Sequence, residues 1–400
     1  MQSLLKSEPI PRAPDASERA VILGFGGRFT DELLSGLPDV LMPTLRAQFG
    51  LSYTDISFLD LGLRYVGAVI EPAAGLLIDV WRRRWLLGWG AAALGLSMIL
   101  MGLAPNFLFL LAAFAVYGLG SGPLAHTADV VLVEAHPGAP ERIFARATML
   151  DAFGALLSPL SVTLAIAAGV SWRWLLVTLG LSSLVYALIL LRTRFPAPAN
   201  GQHEQQPALL ANLRHNLRVV FASRNVWRWL AFLFVFEILE TPLTFKTVWL
   251  NEQAGMSQGL IGLYRAFEMA VDLLSLFYLD SWLARSNYRR ILQRANIALF
   301  LLIPLWLLTP GVLFRFLLAL PLNFFFAVYW PIGRAQSLIS SPGRAGAVTA
   351  VSSLFGLAPL SLLFGLLAER ITLTAATLWV SLTALLLLAL ITRRLPNQHD

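Results

Sequence analysis

The sequence predicts an all-α membrane protein of twelve transmembrane helices, arranged as two six-helix bundles with both termini in the cytoplasm. Three observations predict it. Of 400 residues, 57% are hydrophobic and only 13% are charged, with a mean hydropathy of +0.68, outside the range of soluble domains. Apolar stretches of about 20 residues, long enough to cross a bilayer, recur along the chain with short polar breaks. The basic residues crowd alternate connections. The chain has no cysteine, which excludes disulfides, thiol catalysis and thiolate metal sites.

The elements follow in order. Residues 1–19 lack the basic, apolar and small-residue order of a cleavable signal and read as a cytoplasmic tail. The first bundle, 20–192, holds spans 1 to 6 at 20–45, 52–78, 85–104, 107–134, 143–169 and 173–192. A linker, 193–226, begins with the polar, proline-containing TRFPAPANGQHEQQP, which has no regular pattern. Its second part, ALLANLRHNLRVVFASR, spaces Leu209, Leu210, Leu213, Leu217, Val220 and Phe221 near helical period with arginines between them. That pattern predicts an amphipathic helix on the inner leaflet, or else an ordinary loop helix. The second bundle, 227–392, holds spans 7 to 12 at 227–251, 258–283, 290–308, 311–337, 345–369 and 372–392. Residues 393–400 form a second cytoplasmic tail.

Orientation comes from charge. With the N-terminus inside, 22 of the 30 Lys and Arg residues fall on inside tails and loops, among them Arg82, Arg83, Arg84, Arg224, Arg228, Arg393 and Arg394. Only Arg46, Arg173, Lys246, Arg315 and Arg370 fall on the outside. This split is the positive-inside rule; it accounts for the net charge of +7 without nucleic acid as a partner.

Charges within the spans are costly and must face protein or water. Span 1 carries Arg28, Asp31 and Glu32; span 2 Asp60, Arg64 and Glu71; span 4 His126 and Asp129; span 5 Arg146 and Asp151. Span 7 carries Glu237 and Glu240, and span 8 Arg265, Glu268 and Asp272. Offsets of three, four, seven or eleven put the members of most sets on one helical face. Spans 3 and 12 carry no charge, spans 6 and 9 carry theirs only towards their ends at Arg173, Arg192, Arg290 and Arg294, and all four are expected to face lipid. The period of three, present in both halves, predicts three-helix repeats within each bundle and a polar cavity lined by spans 1, 4, 7 and 10.

The connection after span 2 reads GLLIDVWRRR, residues 75–84. Gly75, Asp79, Arg83 and Arg84 resemble the loop 2–3 signature of the major facilitator superfamily, with Val80 and Arg82 in place of that pattern's arginine and glycine. PDVLMPTLRAQFGLSYTDISFL, residues 38–59, resembles the family's exit from helix 1 and entry to helix 2. The resemblance implies a twelve-helix transporter fold in which Asp79 braces one conformational state at the cytoplasmic ends of spans 2 and 11. Asp31 ahead of Pro38 and Pro43, with Gly122, His126 and Phe153-Gly154-Ala155-Leu156-Leu157-Ser158-Pro159, resembles fosmidomycin-resistance-type and related drug exporters. That likeness implies export by proton antiport from a bacterial cytoplasmic (inner) membrane.

The candidate substrate and proton pathway is therefore Arg28, Asp31, Glu32, Arg64, His126, Asp129, Glu237, Glu240, Arg265 and Glu268, and the conformational motif is Gly75, Asp79, Arg83 and Arg84. Adjacent carboxyls such as Asp31 and Glu32 can hold and release a proton, or Arg28 or Arg64 neutralises them. Glu237 and Glu240 have no cation on their helix except Lys246, expected to snorkel outward. Arg265 and Glu268, like Asp60 and Arg64, are spaced to pair locally. His126 beside Asp129 suits a proton relay or a structural hydrogen bond, and Tyr329, Trp330 and Pro331 suit either ligand stacking or the membrane interface. No HExxH, GxSxG or nucleotide-binding glycine pattern occurs, so no catalytic site, cofactor or metal is expected. The expected partners are a small-molecule substrate, protons and lipid, around a monomer. A passive uniporter, a lipid scramblase or flippase and a membrane-embedded transferase are the alternatives; an organic anion, a zwitterion, a polyol or a cationic drug would each suit the mixed charges.

Overall fold

The computed structural model describes residues 18–78, 82–135, 140–195, 218–340, 348, 351–352 and 357–395. Among them every regular element is helical. Seven helical stretches of the described residues are long and apolar enough to cross a membrane: Arg83–Leu103, Phe107–Leu132, Arg146–Ala167, Trp172–Arg192, Tyr288–Leu308, Val312–Ser337 and Leu373–Arg394. At 1.5 Å per residue, 21 residues reach about 30 Å, the thickness of the hydrocarbon layer. Asp79, residues 1–17 of the N-terminal tail and most of the linker lie outside the described residues. So does part of the first half of span 11.

The chain divides into two compact units, Met1–Pro38 with Gly62–Gln202, and Asp39–Leu61 with His203–Asp400. Helices α1 (Glu18–Phe49) and α2 (Tyr53–Ile78) thus contribute to both. Between them Gly50 adopts φ +63°, and Leu51 N–H donates to Arg46 O at 3.1 Å, a Schellman-type stop that requires a left-handed residue.

The first unit continues with α3 (Arg83–Leu103), α4 (Phe107–Gly118), α5 (Ser121–Ala135), α6 (Pro140–Ala167) and α7 (Trp172–Arg192). Span 4 is two helices, interrupted at Leu119 and Gly120. Span 3 does not simply face lipid, as its lack of charge suggested: 67% of the residues in the most apolar stretch of α3 are buried, against 28% in that of α7. Glycine is the reason. A Cβ on Gly95 would lie 2.7 Å from Gly180 O, one on Gly180 would lie 2.6 Å from Gly95 O, and one on Gly90 would lie 2.8 Å from Gly120 O. Bare backbone lets α3 meet α7 and the start of α5 at a distance no side chain permits. Ser183 Oγ seals the first contact by donating to Ala91 O at 2.8 Å. The opposite face of α3, with Trp85, Trp89 and Leu96, is exposed. On α7 the exposed row is Trp174, Leu181, Val185 and Leu188, a stripe that suits lipid as solvent.

The second unit holds α8 (Arg224–Glu240), a 3-10 turn (Thr241–Phe245), α9 (Lys246–Glu252), α10 (Gln258–Arg285), α11 (Tyr288–Leu308), α12 (Val312–Phe326), α13 (Tyr329–Ile339), α14 (Leu360–Arg370) and α15 (Leu373–Arg394). Span 7 is broken at TPLTF because Pro242 offers no backbone donor and stands at the start of the 3-10 turn. The end of α1 and the first turns of α2 are fastened to this unit. Arg46 pairs with Glu252, Tyr53 OH donates to Glu252 Oε2 at 2.8 Å, Thr54 N–H donates to Glu369 Oε1 at 2.9 Å and Ser57 Oγ donates to Ser361 O at 2.8 Å. Gly365 makes the last approach possible, since a Cβ there would overlap Ser57 Oγ at 2.2 Å.

Tyr329 belongs to the core of this unit. Its ring stacks on Phe236 with centroids 5.4 Å apart and on Phe232 at 6.0 Å, and its hydroxyl donates to Asn296 Oδ1 at 2.8 Å. Of the aromatic pair, Trp330 is the exposed member.

Candidate functional site

Among the described residues each unit carries a buried polar cluster. In the first, α1 contributes Arg28, Asp31 and Glu32, α5 contributes Asp129 and α6 contributes Asp151. Arg28 Nε donates to Asp151 Oδ1 at 3.0 Å, its Nη2 contacts Asp151 Oδ2, and Nε lies 3.4 Å from Asp129 Oδ1. This is a bidentate grip with a second carboxylate alongside. The guanidinium therefore turns to the acids of α5 and α6, and not to those of its own helix as the spacing suggested.

The crossing of α1 with α6 sets this choice. A Cβ on Gly154 would come within 2.7 Å of Phe29 O, and one on Gly36 within 2.7 Å of Ser158 Oγ. Gly154 and Ser158 belong to the segment whose likeness to exporters the sequence displayed, and they let the helix backbones close in one turn from Asp151. Gly122, from the same set, has Glu71 lying over it, its absent Cβ only 2.4 Å from Glu71 Cγ.

Asp31 is 6% exposed, and its Oδ1 accepts no hydrogen bond. Tyr117 of α4 and Ser121 of α5 lie beside it. Glu32 is half-buried; Ser35 Oγ donates to Glu32 O at 3.1 Å and lies 3.5 Å from its Oε2. His126 is exposed and Arg64 half-buried. The first cluster is thus rich in acid, with Asp31 and Glu32 left over after Arg28 has been taken by two other carboxylates.

In the second unit Glu268 is fully buried and its carboxylate is shared among three donors. Lys246 Nζ contacts Oε1, Asn323 Nδ2 donates to Oε1 at 3.1 Å and Arg265 Nη1 donates to Oε2 at 2.7 Å. Arg265 Nη2 also reaches Asp39 Oδ2 at 2.9 Å. Lys246 does not snorkel outward: it is 6% exposed, 5.6 Å from the Trp306 ring and 5.8 Å from that of Tyr264. Pro242 was the overlooked signal, because the 3-10 turn shifts the helical phase and aims Lys246 inward. Beside it lies a cavity of about 50 Å³ lined by Trp249, Trp306, Asn323, Phe326 and Ser381 among others, room for a few waters. Here Asp39 and Glu268 are matched by Lys246 and Arg265, with Asp272 one turn further along α10.

Glu237 and Glu240 are half-buried at the end of α8, where Thr241 Oγ1 donates to Glu237 O at 2.9 Å. Asp39, Asp151, Lys246 and Asn323 were not among the sequence candidates. Of the conformational motif, Gly75 lies in α2, Arg83 is 2% exposed at the start of α3 and the Arg84 guanidinium sits 5.6 Å from the Trp85 ring centroid.

Comparison with known proteins gives a match to the family model of the Major Facilitator Superfamily across residues 24–355. The MFS-type transporter TwmF of Talaromyces wortmannii is 27% identical over 201 residues, 47% of this chain and 35% of that protein. The lincomycin resistance protein of Streptomyces lincolnensis is 29% identical over 158 residues, 38% and 32% of the two chains. The chain thus spans about a third of the length of these curated relatives. In fold it is similar to a bacterial homolog of the human lysosomal transporter Spinster, with a TM-score of 0.71, 15% identity and 96% of each chain covered.

Proposed function

Because the chain belongs to the major facilitator superfamily, we propose that it is a multi-pass membrane transporter of a small-molecule solute, a proton-coupled exporter working by alternating access. In this reading twelve spans form two six-helix bundles, both termini are cytoplasmic, the membrane is the bacterial inner membrane, and the chain acts as a monomer. The named activity of the lincomycin resistance protein supports the outward direction.

One observation carries the coupling: Asp31 is buried with an oxygen that accepts no hydrogen bond, while Arg28 beside it is already held by Asp151 and Asp129. A carboxyl so placed is costly as a bare anion. A proton or a cationic group on the substrate relieves that cost, and exchange of one for the other across the two conformations is antiport. The surplus of acid at Asp31 and Glu32 favours a cationic or zwitterionic solute over an anionic one.

The test is flux in sealed vesicles of purified protein, with ethidium as the probe cation and a trapped pH-sensitive dye. An imposed pH gradient drives ethidium accumulation in the wild type, and Asp31→Asn abolishes the gradient response while gradient-free exchange persists. Equal response in the variant and the wild type overturns the assignment of Asp31. Wild-type flux indifferent to the gradient makes the protein a uniporter.

A further inference from the structure

At the far end of the second unit from Glu240, the first turns of α8 and the last turn of α15 enclose an open pocket of about 430 Å³, lined by Arg224, Arg228, Ala231, Ile391 and Arg394. Positions 224, 228 and 231 are spaced by four and three, as are 391 and 394 by three, so each helix turns one face to the pocket. Arg224 and Arg394 are exposed, Arg228 donates to Asn225 Oδ1 at 3.2 Å, and among the described residues no carboxylate pairs with any of the three. Three guanidiniums converging without a counter-ion repel one another unless an anion joins them.

The surroundings say which anion. Trp227 and Phe221 are exposed next to the arginines, with rings 5.8 Å apart and Trp227 Nε1 donating to Phe221 O at 2.8 Å. Tryptophan held this way marks the headgroup level of a membrane. On α15, exposed Leu386, Leu387 and Leu390 precede the pocket, apolar surface suited to acyl chains. We infer that Arg224, Arg228 and Arg394 form a binding site for the phosphate headgroup of an anionic phospholipid, which bridges α8 to α15. The placement in the inner leaflet rests on the orientation proposed above; the headgroup chemistry does not.

The test is native mass spectrometry of the full chain, released from micelles doped with equal amounts of phosphatidylglycerol and phosphatidylcholine. The wild type retains phosphatidylglycerol preferentially. Each of Arg224→Gln, Arg228→Gln and Arg394→Gln lowers that preference about fivefold, and the triple variant lowers it by about a hundredfold, at roughly the strength of one surface arginine each. Size-exclusion profiles confirm that these variants are folded, and Arg192→Gln, on another helix, leaves the preference intact. A triple variant with wild-type preference, or displacement of the lipid by millimolar inorganic phosphate alone, overturns the site. The chain has no cysteine, so Ala222→Cys reports the leaflet by labelling with an impermeant maleimide. Labelling from the outside alone overturns the proposed orientation and leaves headgroup binding standing.

Discussion

Arg28 and Asp151 are 123 positions apart, yet Arg28 Nε donates to Asp151 Oδ1 at 3.0 Å, and Asp129 stands 3.4 Å from the same nitrogen. Removing the guanidinium leaves two carboxylates facing each other in the interior. Arg28→Gln is expected to destabilise the protein by about 3 kcal/mol, read as a lower thermal midpoint in detergent. Asp151→Asn added to it should restore part of the loss; a double variant no more stable than Arg28→Gln would show that the pair is not coupled.

Glu268 is the hub of the second cluster, and its replacement should cost more than that of any one partner. Glu268→Gln leaves Lys246 and Arg265 buried with reduced compensation, at a cost of about 3–5 kcal/mol. Asn323→Ala, which removes one neutral donor, should cost about 1 kcal/mol. Thermal unfolding of the two variants side by side checks the order.

The helix contact at Gly95 makes a steric prediction. Gly95→Ala drives a Cβ to within 2.7 Å of Gly180 O and should cost about 1–3 kcal/mol by forcing α3 from α7. Gly50→Ala meets nothing within 4 Å and should cost only about 1 kcal/mol, from its positive φ. Fluorescence-detected size exclusion after a heating series ranks them; equal losses would mean that the glycine contact is not tight in the membrane.

Asp79 is expected to act on the transport cycle and not on recognition. Asp79→Asn should slow ethidium counterflow by about tenfold, the size of a lost charge-assisted hydrogen bond, and leave the ethidium concentration at half-maximal binding unchanged. Lost binding with normal exchange would assign Asp79 to the substrate site.

What the sequence determined by itself was the medium and the helices within it. Composition and the length of the apolar stretches require a bilayer, and charges at helical spacing in Arg28, Asp31 and Glu32, or in Arg265 and Glu268, declare a polar face, because each is a local property of one segment. The pairing of Arg265 with Glu268, three residues apart, was legible for that reason. Partner choice across helices was not. Arg28 is equally near Asp31 and Glu32 by spacing, and only the close crossing of α1 with α6 at Gly36, Gly154 and Ser158 hands it to Asp151. Lys246 looked like an outer flank until the break at Pro242 turned it towards Glu268, and α3 looked lipid-facing until its glycines brought two helices against it. Periodicity fixes the face on which a charge lies, but the charge is neutralised by whatever lies opposite, and the packing of distant segments alone decides that.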